Sequence, residues 1–532
     1  MVFIIHRYLF RELLRVFVLA TLALMVILSL GSLLRPVQEY GVGPKQVLDL
    51  LGYFMPITLT FVLPVAALFA TSFVYGRFAA DNEFDACKAS GISPAMLVYP
   101  GLILAIIVSI ANLVLSFHVV PEYVHRAETA IKADAKQILF RNIYRQGYYC
   151  LPGNDFRIYA DAVDPTSAGL FGVVIIDTRK DRDKRLITAE AATISFDNTK
   201  RSNEVKVFAR NAFQFDERGG VFFKAISVLG EFESLMTDSI KFQKIEQMNA
   251  IEASPINYYP VALCAWAAYE RLSIEVLAEE MKNTISANKD NFYQLYNNGK
   301  LLRMTAKDCQ LSPAGGNQIE LTGDVLLFEY DKSSGELIES YRGQKLYIQL
   351  SAETETRPST ILIVTFPNAV WLDRGIEYIK PRYTAQDIAM PGSVTAKLGE
   401  DIIDTARKQR YVSQPSARLA ALIKELNRKI RVTLYEIKAE IHSRLVFGIG
   451  CITLILIGIG LGIRFRGGHL LTAFGISSVP AAALLVVIMA GKNITQNQHS
   501  ELGADVGVSF MWAGLLLLTA FAFVLYRKLQ KN

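Results

Sequence analysis

Several chemistry-bearing motifs are missing from this sequence. It has no Gly-x-x-x-x-Gly-Lys-Ser/Thr run to cradle a nucleotide phosphate, no Gly-x-Ser-x-Gly elbow and no His-Glu-x-x-His pair for zinc. The six histidines are scattered without ligand spacing. The five cysteines (Cys87, Cys150, Cys264, Cys309, Cys451) have no metal spacing either. The reading is therefore no catalytic residues, no metal and no cofactor. The net charge of +6 is modest, and basic residues gather near the ends of apolar runs instead of forming a face, which argues against nucleic acid. No small-residue cleavage site follows the first apolar run, so that run reads as a retained span.

Apolar length is what the chain has. It is 51% hydrophobic with mean hydropathy +0.26, yet 20% of it is charged. A membrane protein with a large aqueous part satisfies both. Six stretches are long and uncharged enough to span, at about 16–34, 50–75, 95–119, 445–463, 470–489 and 508–526. Pro56 and Pro64 in the second are tolerated where neighbouring helices satisfy the freed carbonyls. His6, Arg7, Arg11 and Arg15 precede the first span, Arg464, Arg466 and His469 follow the fourth, and Arg527, Lys528 and Lys531 follow the sixth. The positive-inside rule puts both termini and these loops in the cytoplasm, and the long middle region outside. Cys150, Cys264 and Cys309 then share the outer side, with one disulfide and a spare thiol, or no disulfide. The apolar run 260–269 is too short to cross and reads as a buried or interfacial helix continuing to about Ala287. Glycines Gly448, Gly450, Gly458, Gly460 and Gly462 read as close helix packing in span four.

In the middle region the period changes. Segments 148–151, 156–160, 172–177, 185–189, 192–196, 205–208 and 221–224 are short, alternating and separated by turn residues, which predicts an all-β sandwich or jellyroll. Residues 301–350 repeat the pattern: 186–195 aligns with 303–312, 204–207 with 318–321, and 212–216 with 326–331. Alternation places Ile175, Ile187, Ile194, Val207 and Phe215 on the inner face of the first module and Leu321 on that of the second, with Glu320 outward. Residues 382–444 read as a helical connector, with Leu419, Leu422, Ile423, Leu426 and Ile430 at helical spacing.

The segment Asp81-Asn82-Glu83-Phe84-Asp85-Ala86-Cys87-Lys88-Ala89-Ser90-Gly91 lies between spans two and three. Glu83 and Asp85 suit the first turn of a helix, and Gly91 suits its end. Ala86, Ala89 and Gly91 keep its surface low, so a partner can come close. It is slightly acidic on the side that should be basic, as a dedicated docking helix would be. Gly76-Arg77-Phe78, Asp81-Asn82-Glu83, Lys88-Ala89-Ser90-Gly91 and Ile92-Ser93 resemble the coupling segment of the LptF/LptG permease family, the membrane subunits that export lipopolysaccharide. Phe84, Asp85 and Cys87 depart from the family's usual residues there.

The resemblance implies a permease subunit of an ABC transporter in the bacterial inner membrane, with a cytoplasmic ABC ATPase, a second permease subunit and a periplasmic jellyroll bridge protein as partners and a lipid as cargo. It implies ATPase coupling through Asp81, Glu83, Ala86, Lys88, Ala89 and Gly91. Arg35, at the outer end of span one, would meet lipid phosphates or core sugars, and Ile175, Ile187, Ile194, Val207 and Phe215 would line the lipid path. Glu440-Ile-His-Ser-Arg-Leu445 resembles the family's start of span four, with His442 as a functional or an anchoring residue. The expected fold is an α-helical membrane protein of six transmembrane helices (3+3), with a periplasmic all-β jellyroll domain and an α+β insertion containing a second jellyroll-like module. Its expected parts are 1–121 with the coupling helix at 76–94, 122–235 as jellyroll, 236–381 as insertion, 382–444 as connector and 445–532 as the last three spans. A non-transporting envelope scaffold or sensor is the competing reading, and six spans are more than a sensor needs.

Overall fold

The computed structural model describes the chain outside residues 1, 41–43, 151–155, 165–168, 178–184, 198–202, 217–218, 233–238, 288–291, 298, 313–316, 333, 352–357, 374–375, 400, 409–414, 466–469, 498–500 and 532. Within its elements, some side chains, among them 32–50 and 130–138, also lie outside the description. The chain divides into two compact units: Met1–Glu252 with Val432–Asn532, and Ala253–Arg431.

The first unit opens with α1 (Val2–Tyr40), α2 (Pro44–Ala80), the short α3 (Glu83–Ala89) and α4 (Pro94–Val114). A π-turn (Leu115–Val119) then runs into α5 (Val120–Gln146). Helix α1 starts well before the expected 16, because Leu9 and Leu13, one turn apart, form an apolar stripe buried with Val74, Tyr75 and Phe78 of α2. Among the described residues, six helices are long and apolar enough to cross a membrane: Phe3–Gly31, Leu51–Ala80, Pro94–Thr129, Ala417–Arg464, Ser478–Gln496 and Ala504–Leu529. Three precede the strands in the chain and three follow them.

Strands β1 (Tyr148–Cys150), β2 (Phe156–Asp164), β3 (Gly169–Asp177), β4 (Arg185–Asp197), β5 (Asn203–Asp216) and β6 (Gly219–Phe232) form one antiparallel sheet in chain order, a half-barrel meander. Two expected strands, 185–189 and 192–196, are the single strand β4. A transverse break crosses the sheet. Ala160, Val173, Ala189, Ala212 and Phe223 pair across the strands on one side of it, and Ala162, Phe171, Ala191, Arg210 and Ala225 on the other. Between the two rows, Asp161, Gly172, Glu190, Asn211 and Lys224 leave the ladder, with Gly172 and Asn211 at φ 61° and 49°. The effect is that of a bulge repeated in step: the sheet bends and side-chain alternation changes phase. Thus Val207 and Ala209 are buried, then Ala212, while Phe213 and Phe215 face outward. Phe215 is 46% exposed, which removes it from the inner face where strict alternation had placed it.

The second unit contains α7 (Tyr259–Ala287), which follows α6 (Ile245–Ala253) in the chain, and a sheet of β7 (Tyr293–Asn297), β8 (Lys300–Thr305), β9 (Asp308–Leu311), β10 (Gln318–Asp331), β11 (Leu337–Leu350), β12 (Ile361–Asp373) and β13 (Ile376–Ala389). Helix α7 is buried along most of its length and is not among the six helices both long and apolar enough to cross, as its sequence implied. The second sheet is wider than 301–350, and Arg382–Ala389, expected in a helical connector, belongs to β13. Short helices α8 (Gly392–Leu398) and α9 (Ile402–Lys408) come next, followed by α10 (Ala417–Arg464), α11 (Leu470–Gln496) and α12 (Glu501–Lys531).

The repeat is visible in the ladders. Thr188 faces Phe213 as Thr305 faces Leu326, and Ile194 faces Val207 as Leu311 faces Ile319. Val207 therefore corresponds to Ile319, two residues from the match suggested by alignment. The break recurs as well. Asp324 and Asn368 take φ 46° and 49°, and Lys307, between β8 and β9, donates its N–H to Gly323 O at 2.9 Å and pairs with Asp324 at 2.7 Å. Glu320, expected outward, is buried and bonded by Lys345 at 2.8 Å.

Candidate functional site

Helix α3 is held from beneath and presented from above. Ile92 N–H donates to Cys87 O (3.1 Å) and Gly91 N–H to Lys88 O (3.0 Å), the bond pair of a Schellman close, with Gly91 at φ +83° as that close requires. Asn82, at φ 60°, makes the turn that leads in. Phe84 is 2% exposed and meets Phe78 edge-on, with ring centroids 6.4 Å apart. Phe84 and Ile92 both belong to one apolar cluster with Leu9, Leu13 and Leu97. The aromatic residue at 84 is therefore an anchor.

The outward face is low and acidic. Asp81, Glu83, Ala86, Ala89 and Gly91 are exposed, while Lys88 is half-buried at the side. Glu83, Ala86 and Ala89 recur every three residues, so they share one face. Arg77 on the last turn of α2 pairs with Asp81 at 3.5 Å. A cleft between α1 and α2, with Tyr8, Glu12, Arg77, Asp81 and Glu83 on its walls, opens beside the start of α3. Burial and the nearby Glu83 carboxylate push the Cys87 thiol up, which disfavours its thiolate. The contribution of α1 was not anticipated; the signal was the four-residue spacing of Leu9 and Leu13 among basic residues.

Behind α3, α10 sits among the other spans through its glycines. A Cβ on Gly448 would meet Leu113 at 2.4 Å, one on Gly460 would meet Leu525 at 2.4 Å, and one on Gly462 would meet the Ser72 carbonyl at 2.8 Å. The small-residue reading of this run holds.

Four of the candidate lipid residues come together. Ile175, Ile187, Ile194 and Val207 share one buried cluster on the inner face of the first sheet. They do not face an open groove, because Leu139, Phe140 and Ile143 of α5 pack into the same cluster. Phe215 stands apart on the outer face beside Phe213, with centroids 6.4 Å apart. The Arg35 side chain lies outside the described residues.

The chain matches the family described as lipopolysaccharide export system permease LptF/LptG over residues 7–528. It belongs to that family. A search of curated proteins gave no match. Membership makes the chain a permease, a transport subunit of a multi-pass membrane protein class.

Sequence reasoning also missed a charged knot beside His442. Arg444 donates to Glu440 at 3.0 Å, and Lys492 of α11 pairs with the same carboxylate. The other Arg444 nitrogens donate to the carbonyls of Gln243 (3.2 Å) and Lys241 (2.8 Å), and its guanidinium lies 5.4 Å from the Phe117 ring centre. Buried charges persist when paired and bonded in this way. His442 accepts from Trp512 Nε1 at 3.3 Å, an anchoring bond between α10 and α12.

Proposed function

We propose that this permease is one subunit of an ABC transporter that extracts lipopolysaccharide, or a related lipid, from the outer leaflet of the inner membrane. It passes the lipid to a periplasmic jellyroll bridge. A separate cytoplasmic ATPase drives it, and a second permease, a paralogue or another copy, completes the membrane cavity. Both β sheets then lie in the periplasm and α3 in the cytoplasm.

The observation that carries this reading is α3: a capped helix between two spans, anchored by Phe84 and Ile92, with a small-sided face of Glu83, Ala86 and Ala89 left exposed. A helix so presented suits a groove in a partner. The inner face of the first sheet supplies the second support. Each buried methylene of an acyl chain is worth about 0.8 kcal/mol, so a lipid leaves a bilayer only for another apolar surface. Ile175, Ile187, Ile194 and Val207 supply one once α5 yields.

Glu83→Lys tests the dock. The variant should express and insert normally while ATPase association weakens by on the order of several kcal/mol, the cost of setting like charges against each other in an interface. Co-purification with the ATPase at the wild-type level would remove the docking claim.

A further inference from the structure

The helix of span three begins with a break written into its own sequence. Pro100 lies inside α4. It has no N–H for the Met96 carbonyl, and its ring crowds that turn. Two side chains from other helices repair the damage. His6 Nε2, on α1, is 2.8 Å from Met96 O. That nitrogen carries the proton, because a carbonyl only accepts. One residue further along, the Tyr75 hydroxyl of α2 donates to Leu97 O at 2.9 Å and accepts from Gly101 N–H at 3.2 Å. Leu97 and Gly101 are the two groups that an unbroken α-turn joins directly. The hydroxyl is spliced into that turn, and Tyr75 is fully buried.

A third helix meets the splice. A Cβ on Gly101 would stand 2.4 Å from Ile459 of α10, and one on Gly462 would stand 2.8 Å from Ser72 O of α2. Helices α2, α4 and α10 therefore meet with their backbones close, directly behind α3, whose anchor Phe84 joins the same cluster as Tyr75 and Ile459.

We propose that Tyr75, backed by His6, is a positioning residue for energy coupling. Its hydroxyl holds the Pro100 kink in one geometry, so that a displacement of α3 reaches spans two, three and four together. This rests on the reading of α3 as the ATPase dock. Apolar contacts alone could slide over one another. A hydroxyl that donates and accepts within one turn fixes both partners, and a buried bond of this kind is costly to leave unmade.

The test uses the full chain assembled with its ATPase and partner permease in proteoliposomes. Fluorescently labelled lipopolysaccharide is the probe, and the readout is lipid released per ATP hydrolysed. Tyr75→Phe removes one oxygen and keeps the ring. Association and ATP hydrolysis should stay within about twofold, while release per ATP falls about tenfold, in the range that one lost buried hydrogen bond spans. His6→Ala should move the ratio the same way by less, because its bond is exposed. Pro100→Ala distinguishes positioning from packing. It returns an N–H to the turn, so the freed carbonyls find partners within α4 and release per ATP in Tyr75→Phe recovers. Lost ring packing could not be rescued in this way. An unchanged ratio in Tyr75→Phe, loss of ATPase association in that variant, or no rescue by Pro100→Ala would each overturn the proposal. No release even from the unmodified complex would sink the transport reading, and this proposal with it.

Discussion

The two antiparallel sheets share a plan and differ in what packs on their inner faces. Both are antiparallel sheets crossed by a break at residues of positive φ, Asn211 in one and Asp324 with Asn368 in the other. Both follow a helix in the chain. In the first, the α5 residues described in the core are Leu139, Phe140 and Ile143, from its last turns. In the second, α7 packs against β7, β9, β10 and β11, and against α8 and α9. Along it, Val261, Ala265, Ala268, Leu272, Ile274, Leu277, Met281 and Ile285 are all buried. A helix buried on nearly every side is core. Inside that core Arg271 pairs with Glu275 at 2.7 Å, and Ser416 N–H donates to the same carboxylate at 3.1 Å. Among the described residues the two covers differ in their further partners: α7 is also packed by α8 and α9. Leu321, expected to continue a lipid path, is fully buried in the sheet against which α7 packs.

The sharpest way to break this comparison is to ask which interior meets lipid. A photo-crosslinking residue at Ile187 should capture lipid during ATP turnover, and one at Leu321 should capture α7 and no lipid. Lipid captured at Leu321, with none at Ile187, would invert the assignment. Leu277→Asp puts a carboxylate into the closed core and should destabilise the second unit by roughly 4 kcal/mol or more. Phe140→Ala in the helix on the first sheet should cost about 3 kcal/mol, the low end for a buried Phe. Urea titration followed by limited proteolysis reads both, and equal losses would show that the two covers are equivalent. A smaller effect separates the breaks and turns. Gly172→Ala sets a Cβ at positive φ and 2.2 Å from the Asp161 carboxylate, so it should cost roughly 2–3 kcal/mol. Gly335→Ala has positive φ but open space, and about 1 kcal/mol is expected. Equal melting temperatures for the two variants would deny the Gly172 row a role in bending the first sheet.

Much of the membrane part was readable from composition. A span needs only length and the absence of charge, both of which are properties of consecutive residues. Helix α3 was readable for the same reason: its cap at Gly91, its acidic first turn and its small face lie within one short stretch. Its anchors were less plain, since Phe84 looked like a departure until Phe78 and Leu9 were found beneath it.

By itself, the sequence determined six membrane-length helices, a capped helix between the second and third, two related strand-rich regions and a helix at 259–287 whose apolar run is too short to cross. Each follows from local periodicity, local length or local turn chemistry. Only the tertiary structure decided which apolar residues face inward. Phe215 lost its place because a break at Asn211 shifts the phase of β5, and that break exists only as a row shared by neighbouring strands. It also decided which helix packs on each sheet and what repairs the turn at Pro100. Those outcomes depend on residues far apart in the chain, such as His6 with Met96 and Tyr75 with Leu97, which no window along the sequence brings together.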